Sequence, residues 1–307
     1  MLNRILIYIA MMLLAGCSGN INEDPVIEDD GESLHISVGN RPVLSYAIST
    51  RHPPDSLPGY YQRSGFIHPL RSPAGHVLTD DFPTGHSHQH GLFLALVNTT
   101  IQGEVVDFWN QQKGTGTVRH YETLDTYASE EGAGFVSMLE HLAFPDGDTA
   151  VALSEIWEVD VMNRTDVFVI EFKSILKALD TIQVNRYLYG GLGFRGSALW
   201  NDVDFEQPGD VNYIGVNGKG GFLTSTGKTR MDGNHSHERW VSFHGTLAQD
   251  SVGVVIMSHP DNFRSPHPVR LHPAMPYFSY SPMVDSAFTL LPDDRLVSRY
   301  RVITHDG

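Results

Sequence analysis

The run Phe82-Pro83-Thr84-Gly85-His86-Ser87-His88-Gln89-His90-Gly91 puts histidines at alternate positions, just ahead of the apolar segment Leu92-Phe93-Leu94-Ala95-Leu96-Val97. Side chains alternate faces along an extended backbone, so His86, His88 and His90 are expected on one side of a strand. Imidazole titrates near neutral pH and ligates divalent metals, so the group suits proton transfer, metal binding or polar recognition. A second pair, His235-Ser236-His237, follows the turn-forming stretch Asp232-Gly233-Asn234. His86, His88, His90, His235 and His237 are therefore the candidate metal ligands. A strand would present three of them to one ion only with a bend, so two ligands plus a remote one is the easier set. The cofactor expectation stays open between none and one divalent metal.

Other residues stand out by their surroundings. In Ala150–Met162 the alternation places Val151, Leu153, Glu155, Trp157, Val159 and Val161 on one face. Glu155 is thus a carboxylate among apolar neighbours, which needs a partner or takes a raised pKa. Arg195 ends the glycine-dense segment Gly190-Gly191-Leu192-Gly193-Phe194-Arg195 and is a candidate for holding a carboxylate or sugar hydroxyls. His259, Asn262 and Arg264 lie in a proline-bounded loop after the apolar strand Val252–Met257 and form a plausible binding-site rim. No Gly-X-Ser-X-Gly and no His-Glu-X-X-His occurs, which disfavours hydrolases and metalloproteases of those types.

These residues need a scaffold, and the sequence reads as strands. Alternating or continuous apolar runs cover 34–38, 43–48, 92–98, 105–109, 135–141, 150–162, 166–174, 240–247, 252–257 and 296–303. They are punctuated by a share of the chain's 29 Gly and 17 Pro. The clearest hairpin joins 150–162 to 166–174 through Asn163-Arg164-Thr165. No segment holds a sustained helical period. The expected fold is all-β, a large antiparallel β-sandwich formed as one domain over residues 33–307.

The first residues carry a positive charge, an apolar core too short to span a bilayer, and then Leu14-Ala15-Gly16-Cys17. This last stretch resembles the lipobox of bacterial lipoproteins. The expectation is a signal peptide over 1–16, lipidation at Cys17, an acidic flexible tether over 17–32, and an outer-membrane lipoprotein facing the periplasm or the exterior. The membrane contact would be through the lipid alone. Cys17 is the sole cysteine, so no disulfide or thiolate metal site is available to the rest of the chain. The net charge of -15 argues against nucleic acid as a partner. It tilts the expected ligand weakly toward neutral or cationic species.

Ser64-Gly65-Phe66-Ile67-His68-Pro69-Leu70, Leu78-Thr79-Asp80-Asp81-Phe82-Pro83, the histidine run, Gly190–Arg195 and Ser258-His259-Pro260-Asp261-Asn262 together resemble, in order, the bacterial PmoA-like family of secreted and envelope proteins. The resemblance covers roughly residues 40–303. It implies a role in carbohydrate-using systems and a fold similar to galactose mutarotase, and it carries no residue roles over. Relatives often show His-Arg where this chain has Gln89-His90. The reading that follows is an envelope-anchored enzyme acting on a glycoside or oxidised sugar. His88 or His90 would be the acid or base and Glu155 a partner acid, with Arg195, His259, Asn262 and Arg264 holding substrate. Two other readings are kept. One is a metal-dependent enzyme built on the histidines. The other is a non-catalytic sugar-binding lipoprotein, in which aromatic faces such as Trp109, Trp200 and Tyr277 matter more.

Overall fold

The computed structural model describes residues 24–200 and 220–307. The expected signal peptide and Cys17 lie outside the described residues.

Strict alternation makes the strand Ala150–Met162, with Leu153, Glu155, Trp157, Val159 and Val161 fully buried and the intervening side chains at least partly exposed, Ala152 excepted. It pairs antiparallel with Phe168–Ala178 on one side and Gly132–Ala143 on the other. These belong to an eight-stranded sheet. Its order is Gly221–Thr224, Trp240–Leu247, Asp250–Ser258, Arg295–Asp306, Phe168–Ala178, Ala150–Met162, Gly132–Ala143 and Gly116–Ser129. A nine-stranded sheet runs Pro25–Asp29, Ser33–Val38, Arg41–Ala47, Ile67–Leu70, Leu92–Ala95, Gly191–Arg195, Tyr277–Tyr280, His267–Leu271 and His237–Glu238. A small four-stranded sheet, Phe288–Leu290, Ile182–Val184, Thr99–Ile101 and Glu104–Val106, completes the fold.

The two large sheets face each other across one apolar core, so the molecule is an antiparallel β-sandwich. Tyr46 of the nine-stranded sheet packs on Phe135 and Trp157 of the eight-stranded one at ring separations of 4.7 and 5.7 Å. Phe278 meets Phe222 in the same way at 6.0 Å, and the Tyr280 hydroxyl crosses over to donate to the Ile256 carbonyl. Aromatic bodies with polar tips fill a wide inter-sheet space while keeping their hydroxyls paired. Among the described residues no helix is long and apolar enough to cross a membrane.

One expectation changes at this level, and one strand is added. The acidic segment expected to be a flexible tether is folded from residue 25 onward, because Pro25–Asp29 pairs along its length with Leu34–Val38. Backbone ladder bonds and the buried Pro25 offset its polar composition. The strand Gly116–Ser129, 14 residues long, had no sequence signal. It is the edge of its sheet, its second half is exposed, and so it lacks a buried alternating face.

Candidate functional site

The histidine run is not a strand. His86 N–H donates to the Pro83 carbonyl and Gln89 N–H to the His86 carbonyl, which makes two successive turns between Asp81 and His90. The chain re-enters the sheet at Gly91, whose φ is +39°. A Cβ there would lie 2.1 Å from the Ile67 carbonyl oxygen, so no larger residue fits the turn as built. The turns send the histidines in different directions. His86 and His88 line a cavity of about 300 Å³, with ring centroids 5.7 Å apart. His90 points into the core and is fully buried. Its Nδ1 donates to Asp81 at 2.6 Å and its Nε2 faces the Gln111 amide oxygen at 3.3 Å, with Phe66, Phe82 and Phe93 around the ring. His90 is therefore an anchor of the loop and not part of the cavity wall.

The opposite wall comes from the hairpin His267–Leu271 and Tyr277–Tyr280, in which Arg270 pairs with Ser279. Val269, Leu271, Phe278 and Tyr280 point into the core. Alternation then leaves Arg270, His272, Tyr277 and Ser279 on the other face. Arg270, His272 and Tyr277 all line the cavity. His272 is fixed by its own loop, because its Nδ1 accepts the Ala274 and Met275 N–H groups at 3.2 and 3.0 Å. A ring whose Nδ1 is an acceptor carries its proton on Nε2. Its ring stands 5.6 Å from that of His86, edge to face. A third segment, Asp107–Lys113, supplies Asn110 and Gln112. Asp107 organises it by accepting the Trp109 and Asn110 N–H groups, the Asn110 side-chain amide and the Lys113 ammonium. Asn110 in turn accepts the Tyr189 hydroxyl at 2.9 Å. Tyr61, Gly85, Gln89 and Tyr189 complete the lining.

Electrostatically the cavity is unusual for so acidic a chain. Burial pushes His88 well below the ordinary imidazole value, with His86 adding to the effect, and lowers His272 to about 2. Both are neutral at physiological pH. Burial raises the Tyr61 phenol to about 12 and those of Tyr189 and Tyr277 further, so all three keep their protons. Burial also lowers Arg270, which stays a cation. No carboxylate stands among the described lining residues. Two side chains are uncommitted. His88 is 7% exposed, and no described residue hydrogen-bonds its ring. Arg270 makes no hydrogen bond or ion pair with any described residue.

The other expected site residues lie elsewhere. Glu155 is fully buried and accepts His141 Nε2 at 2.8 Å, Trp157 Nε1 at 2.7 Å and the Ser174 hydroxyl. It thus holds three donors inside the sandwich and lines no part of the cavity. Arg195 is buried behind the cavity wall, with Gln89 at 3.4 Å and Asp80 at 3.9 Å, and stands close enough to help depress His88 and His272. It supports the wall rather than forming its surface. Asn262 bonds Ser258 and both backbone groups of Arg299. Arg264 places its guanidinium on the carbonyls of Pro282, Ser286 and Ala287. Both are loop ties. His259 lines a separate cavity of about 270 Å³ with Arg299 and Arg301. His235 bonds the Leu188 carbonyl and His237 the Asp285 carboxylate, and neither lines the histidine cavity. The expected metal set is thereby dispersed, and among the described residues no group of three or more His, Cys, Asp or Glu side chains is arranged to hold an ion. Of the aromatic candidates Tyr277 lines the cavity, while Trp109 and Trp200 are fully buried core residues.

Sequence reasoning missed Arg270, His272, Asn110 and Tyr189. The polar residues Arg270 and His272 alternate with buried Val269 and Leu271, and that pattern was the available signal.

Solved structures similar in fold include a GH36 alpha-galactosidase, AgaB, from Geobacillus stearothermophilus, at 11% identity and a TM-score of 0.39 over 92% of this chain and 41% of that one. They also include a galactose mutarotase related enzyme from Lactobacillus acidophilus, at 7% identity and a TM-score of 0.32 over 92% of this chain and 97% of that one. The chain thus spans less than half the length of the galactosidase. No curated protein matches the sequence. Residues 33–307 match the model of a family of unknown function, DUF6807, and the chain belongs to that family.

Proposed function

We propose that this DUF6807 member is a carbohydrate-active enzyme that moves a proton on a single sugar unit held in the histidine-lined cavity, with His88 as the acid–base residue. The observation that carries the reading is His88 itself, a buried, neutral imidazole with no hydrogen-bond partner among the described residues, lining a polar cavity. A neutral imidazole inside hydrogen-bond reach of a substrate proton is a competent general base. Tyr61, Tyr189 and Tyr277 offer aromatic surface for the C–H faces of a sugar ring, and Asn110, Gln89 and Gln112 offer amides for its hydroxyls. A cavity of about 300 Å³ is at the small end for ligand sites, which suits one ring rather than a chain of them.

In this mechanism His88 accepts a proton from a substrate carbon or hydroxyl. His272, with Nε2–H aimed into the cavity, donates to the oxygen on which negative charge develops. His88 then returns the proton, to the same or another atom. The chemistry is that of an epimerase, a lyase or a ring-opening isomerase. A hydrolase using paired carboxylates is disfavoured, since no pair lines the cavity among the described residues. The Leu14-Ala15-Gly16-Cys17 signature supports anchoring of the enzyme to the outer membrane through Cys17.

The test is incubation with a panel of free sugars, oxidised sugars and glycosides in D2O, read by NMR for solvent-derived deuterium on carbon, for epimers and for elimination products. The expected result is turnover by the native protein and its loss in His88→Ala. Full activity in that variant would remove His88 from the chemistry, and binding without turnover would leave a sugar-binding protein.

A further inference from the structure

The cavity holds one feature that proton transfer on a neutral sugar does not use, the guanidinium of Arg270. Arginine is ordinarily paired when it is drawn into a protein, because a desolvated cation without a counter-charge is costly. Here burial already lowers its affinity for its proton. Its neighbours in the cavity are the three imidazoles of His86, His88 and His272, the last two neutral, with neutral phenols and amides, and no described carboxylate answers it. This happens in a chain with 36 acids against 21 Lys and Arg, where carboxylates are the most available partner. Arg195 behind the wall shows the contrast, since it has Asp80 at 3.9 Å. The position of Arg270 is also fixed. Its backbone is paired in a strand opposite Ser279, two residues from His272 on the same face, so its side chain and the imidazoles line one cavity.

We infer that the substrate is an acidic sugar, a uronate or aldonate, whose carboxylate is bound by Arg270 while its ring, or the open carbon chain of an aldonate, lies against the tyrosines. This rests on the proposed enzymatic reading for the sugar and the chemistry, and on Arg270 alone for the charge. A planar fork of donors matches a carboxylate bidentately, which gives orientation as well as affinity. The carboxylate would fix which substrate carbon faces His88. Its negative charge, brought beside a depressed imidazole, also raises the tendency of that imidazole to take a proton. Binding would then prepare the base at the moment it is needed. The preference for neutral or cationic ligands expected from net charge is locally reversed.

The experiment is calorimetric titration of the full-length chain at fixed ionic strength. Hexuronates and aldonates are each paired with the neutral parent sugar, with acetate as a bare carboxylate, against native protein, Arg270→Gln and Arg270→Lys. The native protein should bind at least one acid about 10- to 100-fold more tightly than its neutral parent, the range a charged hydrogen-bonded pair supplies. Arg270→Gln should abolish that preference, and Arg270→Lys should keep only part of it. Equal affinity for acid and parent, an unchanged preference in Arg270→Gln, or no binding to any acid would each overturn the inference. Acetate bound as tightly as the sugar acids would overturn the sugar class. The two readings fail separately. Acid binding that depends on Arg270 but brings no proton exchange removes the enzyme and keeps the ligand class. Turnover of neutral sugars without acid preference does the reverse.

Discussion

Two of the places where this sandwich brings imidazole into the interior end in opposite states. At Glu155 both oxygens of the carboxylate are met, since His141, Trp157 and Ser174 all donate to it. At His88 the ring is nearly as deeply buried, but it lines the cavity and no described residue hydrogen-bonds it. Both sites contain residues that sequence alone nominates for chemistry. Burial and residue type do not separate them; what does is whether the fold supplies the partner. A buried polar group that the protein satisfies stabilises the structure, and one that the protein leaves open is available to a ligand. The same division separates His88 from His90, two residues apart, where a turn sends one ring to the cavity and the other onto Asp81 and Gln111.

The largest effect is expected at the open site. His88→Ala should lower turnover by about 100- to 10,000-fold, the usual contribution of a positioned acid–base group, with thermal unfolding little changed. Steady-state rates and a melting curve on one preparation check both halves. A variant that keeps its rate but loses stability would place His88 with the Glu155 type. At the closed site the pattern reverses. Glu155→Ala should cost about 3–5 kcal/mol in a denaturant titration, since it leaves buried donors without an acceptor. Its folded fraction should turn over at the native rate, and a selective loss of rate would reopen the catalytic reading of Glu155.

The comparison also explains what could be read in advance. Alternation gave away the strands that bury one face, Ala150–Met162 and Trp240–Leu247 to the residue, because burial writes a period of two into the sequence. It also identified the core face that holds Glu155. It was silent about Gly116–Ser129, an edge strand with an exposed outer half. At the site, the histidine run was visible as a run, but its geometry was not. Spacing of two means one face only in an extended chain, and Gly85 and Gly91, both at positive φ, bend this one. Residues that complete the cavity come from positions 61, 110, 189, 270 and 272, and no local pattern links them. Arg270 alone of these lies in a strand, and the others sit in loops and short turns that the pairing of remote strands brings together, which is a property of the whole fold.

Depressed imidazoles give the comparison a pH dependence. His267, lowered to about 4, and His272, lowered to about 2, both bind protons less readily folded than unfolded, where imidazole titrates near 6.5. His88 shifts in the same direction. Below about 6.5 the unfolded chain therefore takes up protons that the folded one refuses. Their stabilising contribution is complete above that pH and declines as pH falls. Each such group removes up to about 1.4 kcal/mol per pH unit in its window. Unfolding free energies measured between pH 7 and 5 should show this slope, and His272→Gln should flatten it by about one group's share. An unchanged slope would mean that His272 is no more buried from protons than an exposed histidine.

The smallest effect discriminates most sharply between the two kinds of site. Arg270 makes no hydrogen bond or ion pair with any described residue, so Arg270→Gln removes a partly desolvated charge and breaks no described contact. Without ligand its stability should stay within about 1 kcal/mol of native or rise slightly, as expected where a residue is kept for function at some cost to the fold. Arg264, with its guanidinium on the carbonyls of Pro282, Ser286 and Ala287, is the control. Its replacement by Gln should destabilise measurably more, because it breaks three hydrogen bonds, one of them to the part-buried Pro282 carbonyl. Melting curves of the two variants side by side decide the point. If Arg270→Gln proved as damaging as Arg264→Gln, the open cavity would be holding the fold together after all, and its cation would need a structural explanation rather than a ligand.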